Sequence, residues 1–230
     1  MNEIIKAIEE RRSIRKFQPT MPAKEDLAQI VEAGLYAASG MGRQSAIIVA
    51  VTNKELRDEL AKTNAEIMGK PDFDPFYGAP AILIVLADKS CRTAIYDGSL
   101  VMGNLMLAAH SLGLGSIWIH RAKEEFERPE YQALLKKLGI EGEWEGIGHC
   151  AVGYIDGEVP KAAKRKDNRV FWIEESNLIK SIPASENARR DVCVLQRHAG
   201  FEDGEVVEAI ALRADQPPGC RRQHVLHQRL

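Results

Sequence analysis

A three-layer α+β domain is the fold class that the sequence predicts for residues 1–175, and two patterns predict it. Apolar residues recur at helical spacing around Ile4–Ile8 and Leu27–Leu35, whereas Ala46–Val51 and Pro80–Leu86 are short continuous apolar runs suited to buried strands. Helices separate several such strands, yet no crossover is regular enough for a doubly wound parallel sheet.

Each element has its own signal. Ile4, Ile5, Ala7 and Ile8 predict a first helix that ends at a cluster of arginines. Pro22, with Glu25 and Asp26 in the first turn, opens a second helix through Leu27, Ile30, Val31, Ala33 and Leu35 to about Ala38. Ala46–Val51 is read as a buried strand. Asn53 caps a third helix with Leu56, Leu60 and Ile67 on its inner face. Pro71–Gly78 is a loop rich in aromatic residues, and Pro80–Leu86 a second buried strand. The longest helix runs from about Thr93 to Leu112. Its apolar residues cover more than one face, which predicts burial on most sides, and Gly98, Gly103 and Ala108 would admit another helix closely. Leu112-Gly113-Leu114-Gly115 supplies a glycine cap and opens a strand at Ser116–Ile119. A short helix at Glu130–Leu138, a strand at Cys150–Ile155 and an extended piece at Val170–Ile173 complete the domain.

Beyond Glu175 the text changes. Only one lysine (Lys180) and one aromatic residue (Phe201) remain, and Gln, Pro and His accumulate in stretches such as Gln216-Pro217-Pro218-Gly219. Val206–Leu212 alone is apolar enough for two helical turns or one strand, too little to offset the entropy of ordering. Residues 176–230 are therefore read as a weakly ordered extension. Either it is passive, as a shifted or fused reading frame would leave it, or it wraps a partner subunit.

The bulk numbers exclude several functions. A net charge of −2 and a pI near 6.3 argue against nucleic-acid binding. With 230 residues, 45% of them hydrophobic, the chain can bury a sizeable core, but no apolar run approaches the ~18 residues of a membrane span. The opening Met1-Asn2-Glu3-Ile4 has neither the basic nor the apolar segment of a secretory leader, so a cytoplasmic location is expected. Cys91, Cys150, Cys193 and Cys220 show no metal or redox spacing and are read as free thiols; no metal site is expected.

Three segments carry the chemistry. Arg11, Arg12, Arg15 and Lys16 crowd around Ser13 within six positions at a helix end. Arginine forks and a serine hydroxyl suit a phosphate monoester, although a helix C-terminus alone also favours cations. Ser39-Gly40-Met41-Gly42-Arg43-Gln44, between a helix and a strand, could bring backbone close to a planar ligand while Gln44 offers both a donor and an acceptor. Otherwise it is an ordinary polar connection. It is not a GxGxxG fingerprint, and no P-loop signature is present. Lys161-Ala162-Ala163-Lys164-Arg165-Lys166 is a second basic cluster. In a net acidic chain, two separated clusters suggest convergence on one anion, against the alternative of a solvated run.

Taken in order, these segments resemble the nitroreductase family of FMN-dependent oxidoreductases. The opening Arg-x-Ser-x-Arg/Lys-x-Phe corresponds to Arg11–Phe17, and Pro-Ser-x-x-Asn-x-Gln-Pro to Ala38–Ser45. Gly78–Leu86, Asn104–Ser116, Gly148–Tyr154 and the basic pair Lys164-Arg165 follow in the family's order, so the resemblance spans about residues 3–173. It implies a nitroreductase-like fold with a central, mostly antiparallel sheet flanked by helices, and a homodimer with the flavin at the subunit interface. It implies FMN as cofactor and NADH or NADPH as co-substrate. Hydride would pass to the flavin and then, in a ping-pong cycle, to a small acceptor such as a nitroaromatic or a quinone. A specialised flavin oxidase or dehalogenase, a flavin-storage or regulatory protein, and an inactive chain are the alternatives.

Residue by residue, the resemblance implies that Arg11, Arg12 and Ser13 hold the phosphate and ribityl chain, with Lys164 and Arg165 closing on the phosphate. Arg15 would lie near the N1/O2 edge, and Gln44 at the pyrimidine side, with Ser39 and Gly42 in the same loop. Ile119, His120 and Arg121 would border N5. No side chain is required for hydride transfer; His120 either donates a proton or shapes the pocket. Phe73, Phe76 and Tyr77 form an aromatic lid or pack in the core. Two departures matter. Gly42 and Ser45 stand where the family has asparagine and proline, which leaves a backbone-only contact at Gly42. His120-Arg121 replaces Glu-Gly, so substrate preference does not carry over.

Overall fold

The computed structural model describes residues 1–173, together with the backbone of residues 199–202 and 205–208. It forms two compact units, Met1–Arg165 and Lys166–Leu230. The first contains helices α1 (Glu3–Glu10), α2 (Lys24–Leu35), α3 (Lys54–Ile67), α4 (Ala94–Ser111), α5 (Ala122–Phe126) and α6 (Pro129–Lys137). Its strands are β1 (Ala46–Val51), β2 (Ala81–Asp88), β3 (Gly115–Ile119) and β4 (Trp144–Gly153). They make one antiparallel sheet in the order β1-β2-β4-β3. In the second unit β5 (Ala199–Glu202) and β6 (Glu205–Glu208) form a hairpin, so the expected apolar stretch at Val206 begins as a strand. The rest of the expectation for residues 176–230 lies outside the described residues.

The sheet is the middle of three layers. Its centre, β2, is an alternation-free apolar run, and Ala81–Ala87 are buried on both faces. One face carries Ile82, Ile84, Leu86 and Ala151 against Leu60 of α3, Phe126 of α5 and Leu135 of α6. The other carries Leu83, Val85, Cys150 and Val152 against Ile30 of α2 and Val101, Met102 and Leu105 of α4. Burying one such leucine or isoleucine contributes about 1.5–3 kcal/mol. Two asparagines fix helix starts: Asn2 Oδ1 accepts from Ile4 N at 2.9 Å and Asn53 Oδ1 from Leu56 N at 2.8 Å. Gly113, at φ 74°, ends α4 as expected, with Leu114 N donating to Ala109 O at 2.9 Å.

Several expectations are corrected. α2 stops at Leu35 rather than near Ala38, because the chain turns there toward Ser39. β1 is an edge strand, mostly half-buried, not a buried one. β4 begins at Trp144, six residues before the expected Cys150. Val170–Ile173 is exposed and joins no strand. Gly98 admits a strand rather than a helix: a Cβ there would lie 2.6 Å from the Ile147 side chain, whereas Gly103 faces open space. α4 is also less enclosed than predicted, since Ile95, Tyr96 and Leu100 are 54%, 71% and 50% exposed. No helix among the described residues is long and apolar enough to cross a membrane.

Candidate functional site

The Arg11–Phe17 segment leaves α1 and runs along the edge of the sheet. Ser13 bridges Ser116 of β3 in parallel, Ile14 N donates to Ser116 O at 3.0 Å, and Phe17 bridges Ile155. Ile14 and Phe17 are buried in the core and anchor the segment, while Arg15 and Lys16 between them stay exposed. Gly115 allows this approach, because a Cβ there would meet the Ile14 and Ile155 side chains at 2.9 Å.

The arginines do not behave alike. Arg11 Nη1 is buried and has no hydrogen-bond partner. Its charge acts on Cys150, whose thiol burial nonetheless pushes up to about 12. An orphaned guanidinium nitrogen inside a protein is costly unless an anion meets it, so Arg11 beside Ser13 fits a phosphate. Arg12 is spent locally: its Nη1 donates to Glu9 O at 2.5 Å and Arg11 O at 2.8 Å, capping α1. Arg15 is exposed, and Lys16 pairs with Asp156 at 2.8 Å.

Ser39–Ser45 forms a tight turn with Gly40–Gly42 as a single 3₁₀ turn and with Met41, Gly42 and Gln44 at positive φ. Its organiser is a residue that the sequence reading missed, Asp97 of α4. Asp97 Oδ1 accepts from Gly40 N at 3.0 Å, and Oδ2 accepts from the hydroxyls of Ser45 at 2.6 Å and Thr93 at 3.0 Å. Burial raises the Asp97 pKa, but these three donors outweigh it and hold the carboxyl below its ordinary value. Ser39 Oγ accepts from Gln44 N at 3.0 Å, and Gln44 itself is exposed. Ser45 thus has a definite use where the family has proline.

Ile119, His120 and Arg121 form the turn from β3 into α5. Ile119 is buried, His120 is exposed, and Arg121 is left-handed at φ 77°. His120 and Arg121 line a cleft of about 380 Å³ with Ile95, Ser99, Trp118 and Ile147. A Lys123–Glu145 ion pair at 3.3 Å stands at its margin. Lys164 and Arg165 are exposed in coil, with Arg165 Nη2 donating to Ala163 O at 2.8 Å. In the aromatic loop, Phe76 is core, buried under the Arg57 guanidinium, while Phe73 and Tyr77 pack edge to face nearer the surface.

Within one chain these groups stand apart. Arg11–Ser13 lies at the start of β3 and His120–Arg121 at its end. The Ser39–Gln44 turn leads into β1, at the opposite sheet edge, three strand spacings or about 14 Å from β3. The reading also missed three buried polar residues behind the His120 turn: Asn64, Glu125 and His149.

The fold has relatives among known proteins. A family model described as the nitroreductase family matches residues 8–154. The chain is 28% identical over 169 residues to a Bacillus subtilis protein named FMN reductase [NAD(P)H], covering 61% of this chain and 66% of that one. It is 36% identical over 129 residues to the NADPH-flavin oxidoreductase of Vibrio harveyi, covering 52% of this chain and 54% of that one. The chain thus spans between about half and two thirds of the length of these relatives. A crystal structure of a nitroreductase with bound FMN from Bacteroides fragilis is 30% identical and superposes with a TM-score of 0.69, covering 76% of this chain and all of the other. With the family's model matching more than half of its length and that fold shared, the chain belongs to the nitroreductase family.

Proposed function

We propose that the protein is an FMN-dependent NAD(P)H oxidoreductase that reduces small acceptors such as nitroaromatics or quinones. The observation that carries this reading is Arg11, with its buried and unpartnered guanidinium nitrogen beside Ser13 on the sheet edge. The names of the relatives and the FMN in the similar crystal structure support it. Bound FMN would supply the hydride chemistry, accepting from the nicotinamide and donating to the acceptor in alternation.

The chain's own residues would bind and orient. Arg11 and Ser13 would hold the phosphate, with Lys164 and Arg165 closing over it, and Arg12 would keep the helix end in place. Arg15 would offer positive charge to the N1/O2 edge, where it favours the anionic reduced state. Ile119, His120 and Arg121 would border N5, with His120 shaping the pocket or giving a proton to the acceptor. Ser39, Gly42 and Gln44 would reach a flavin across a dimer interface, which bridges the ~14 Å that separates the sheet edges in one chain. Ile4, Ile5 and Ile8 of α1 and Ile95, Tyr96 and Leu100 of α4 are exposed apolar surface suited to that homodimer. Residues 1–175 would be the FMN-binding domain and 176–230 an extension outside it, in a cytoplasmic protein. An anaerobic titration tests the proposal: flavin absorption in the purified protein should bleach on addition of NADH or NADPH and return with an acceptor. A protein that takes up no FMN sinks it.

A further inference from the structure

The turn that borders the proposed flavin edge is held from behind by buried polar groups that the redox reading does not use. Asn64 of α3 is fully buried, and its Nδ2 donates to His120 O at 2.8 Å. His149 of β4 stands opposite Ile119, the last residue of β3, and its Nε2 lies 2.6 Å from Glu125 Oε2 of α5. Both side chains have no exposed surface. The contact has the distance of an ion pair without the directional geometry of a hydrogen bond, and His149 Nδ1, Glu125 Oε1 and Asn64 Oδ1 find no other partner. Phe76 packs on the His149 ring at 5.3 Å, so the cluster is closed on that side by the core.

Between these fixed points the backbone is strained and has no slack. Arg121 occupies the left-handed region without glycine's freedom and caps α5 with no side-chain bond. Gly146 of β4 presses on the next residue: a Cβ there would lie 2.1 Å from Ala122 C and O. A buried and imperfectly satisfied acid–base contact contributes little to stability, since an apolar pair of similar volume is often as good or better. Such strain persists where the surroundings over-determine it. Here the surroundings are Asn64 on the His120 carbonyl, Gly146 on Ala122, and His149 on Glu125.

We propose that Asn64, Glu125 and His149 are positioning residues that lock the Ile119–Arg121 turn in its left-handed form and so fix its backbone against the reactive edge of the flavin. The flavin half of this statement rests on the function proposed above; the clamp does not. The test compares full-length wild type with Glu125→Leu, which removes the charge while filling the space, Glu125→Gln, which keeps a polar reach to His149, and Asn64→Ala, which frees the His120 carbonyl alone. Removing a buried partner lowers global stability in both variants, so amide exchange over 119–124, measured without added flavin, is read against the β2 amides of the same protein: relative to them it should rise about tenfold in Glu125→Leu and Asn64→Ala, and Glu125→Gln should restore most of the protection. With FMN bound, the first two should shift the flavin midpoint potential while leaving the affinity for oxidised FMN unchanged, because the proposed phosphate contacts lie at the other end of β3. Unchanged exchange in a folded variant overturns the clamp. Faster exchange with an unmoved potential overturns its link to the flavin. Should Glu125→Leu fail to fold, Asn64→Ala decides alone. Wild type that takes up no FMN defeats the proposed function, and the exchange comparison then still upholds or overturns the clamp.

Discussion

The two faces of the sheet are finished in opposite ways. On the α3–α5–α6 side the chain seals its own core and even encloses a polar cluster of Thr63, Asn64, Glu125 and His149. Tyr131, whose hydroxyl donates to Thr63 Oγ1 at 2.8 Å, belongs to that cluster, and burial pushes its pKa up to about 12. On the α2–α4 side the inner surface is equally apolar, yet the outside of α4 still presents Ile95, Tyr96 and Leu100 to solvent. The difference teaches that one face is complete within the chain while the other has apolar surface to spare, and the proposed phosphate residues lie at the margin of the second.

The largest expected effects should be the same on both faces. Leu86→Ala on the sealed side and Leu83→Ala on the α4 side each remove a fully buried side chain and should cost about 2–5 kcal/mol in denaturant unfolding. A markedly smaller loss for Leu83 would show that the α4 side repacks and is the looser half. Next comes Arg11→Ala, which should weaken FMN binding by roughly 1.5–3 kcal/mol in a fluorescence titration. Unchanged affinity would remove Arg11 from the phosphate site.

Asp97→Ala leaves the donors of Gly40, Ser45 and Thr93 without their acceptor and should cost about 1–3 kcal/mol. It carries a pH signature as well. The folded carboxyl titrates below its unfolded value of 3.8, so its contribution is present above that pH and is lost as the pH falls through the folded pKa. Wild type should therefore lose stability in this acid window more steeply than the variant, and parallel acid curves would contradict the network. The smallest effect on the folding of one chain is expected for Leu100→Ser, within about 0.5 kcal/mol, because the side chain is half exposed. Its effect should appear instead in sedimentation, as a shift of the proposed dimer toward monomer; no shift would place the proposed subunit contact elsewhere.

How much of this was legible follows the same division. Continuous apolar runs announced β2, helical spacing announced α1 and α2, a long apolar stretch covering more than one face announced α4, and Asn53 and Gly113 marked ends that the structure places at the same residues. The first half of β4 was illegible because Glu145-Gly146-Ile147-Gly148 reads as turn chemistry. Its glycines are there for contact: Gly146 against Ala122 and Gly148 against Trp118, where a Cβ would lie 2.1 Å from the indole Nε1. Ile147 is the extra residue of a bulge, since Leu86 pairs with Gly146 and Val85 with Gly148, and it therefore faces Gly98 rather than alternating. In the candidate site, the order Arg-x-Ser was readable, but which arginine stays unpaired was not, because Arg12's capping depends on where α1 ends. Glu125 sits in an acidic run that looks solvated, and Asp97 looks like any polar residue in a helix's first turn. Both owe their burial to elements far away in the sequence.

The enclosed thiol of Cys150 has a practical consequence. Held between α4 and the sheet with its pKa raised to about 12, it offers almost no thiolate to an alkylating reagent while the sheet is closed. Its modification, read on its own peptide by mass spectrometry, would therefore count openings of the central strands and report how often the molecule breathes without an engineered label.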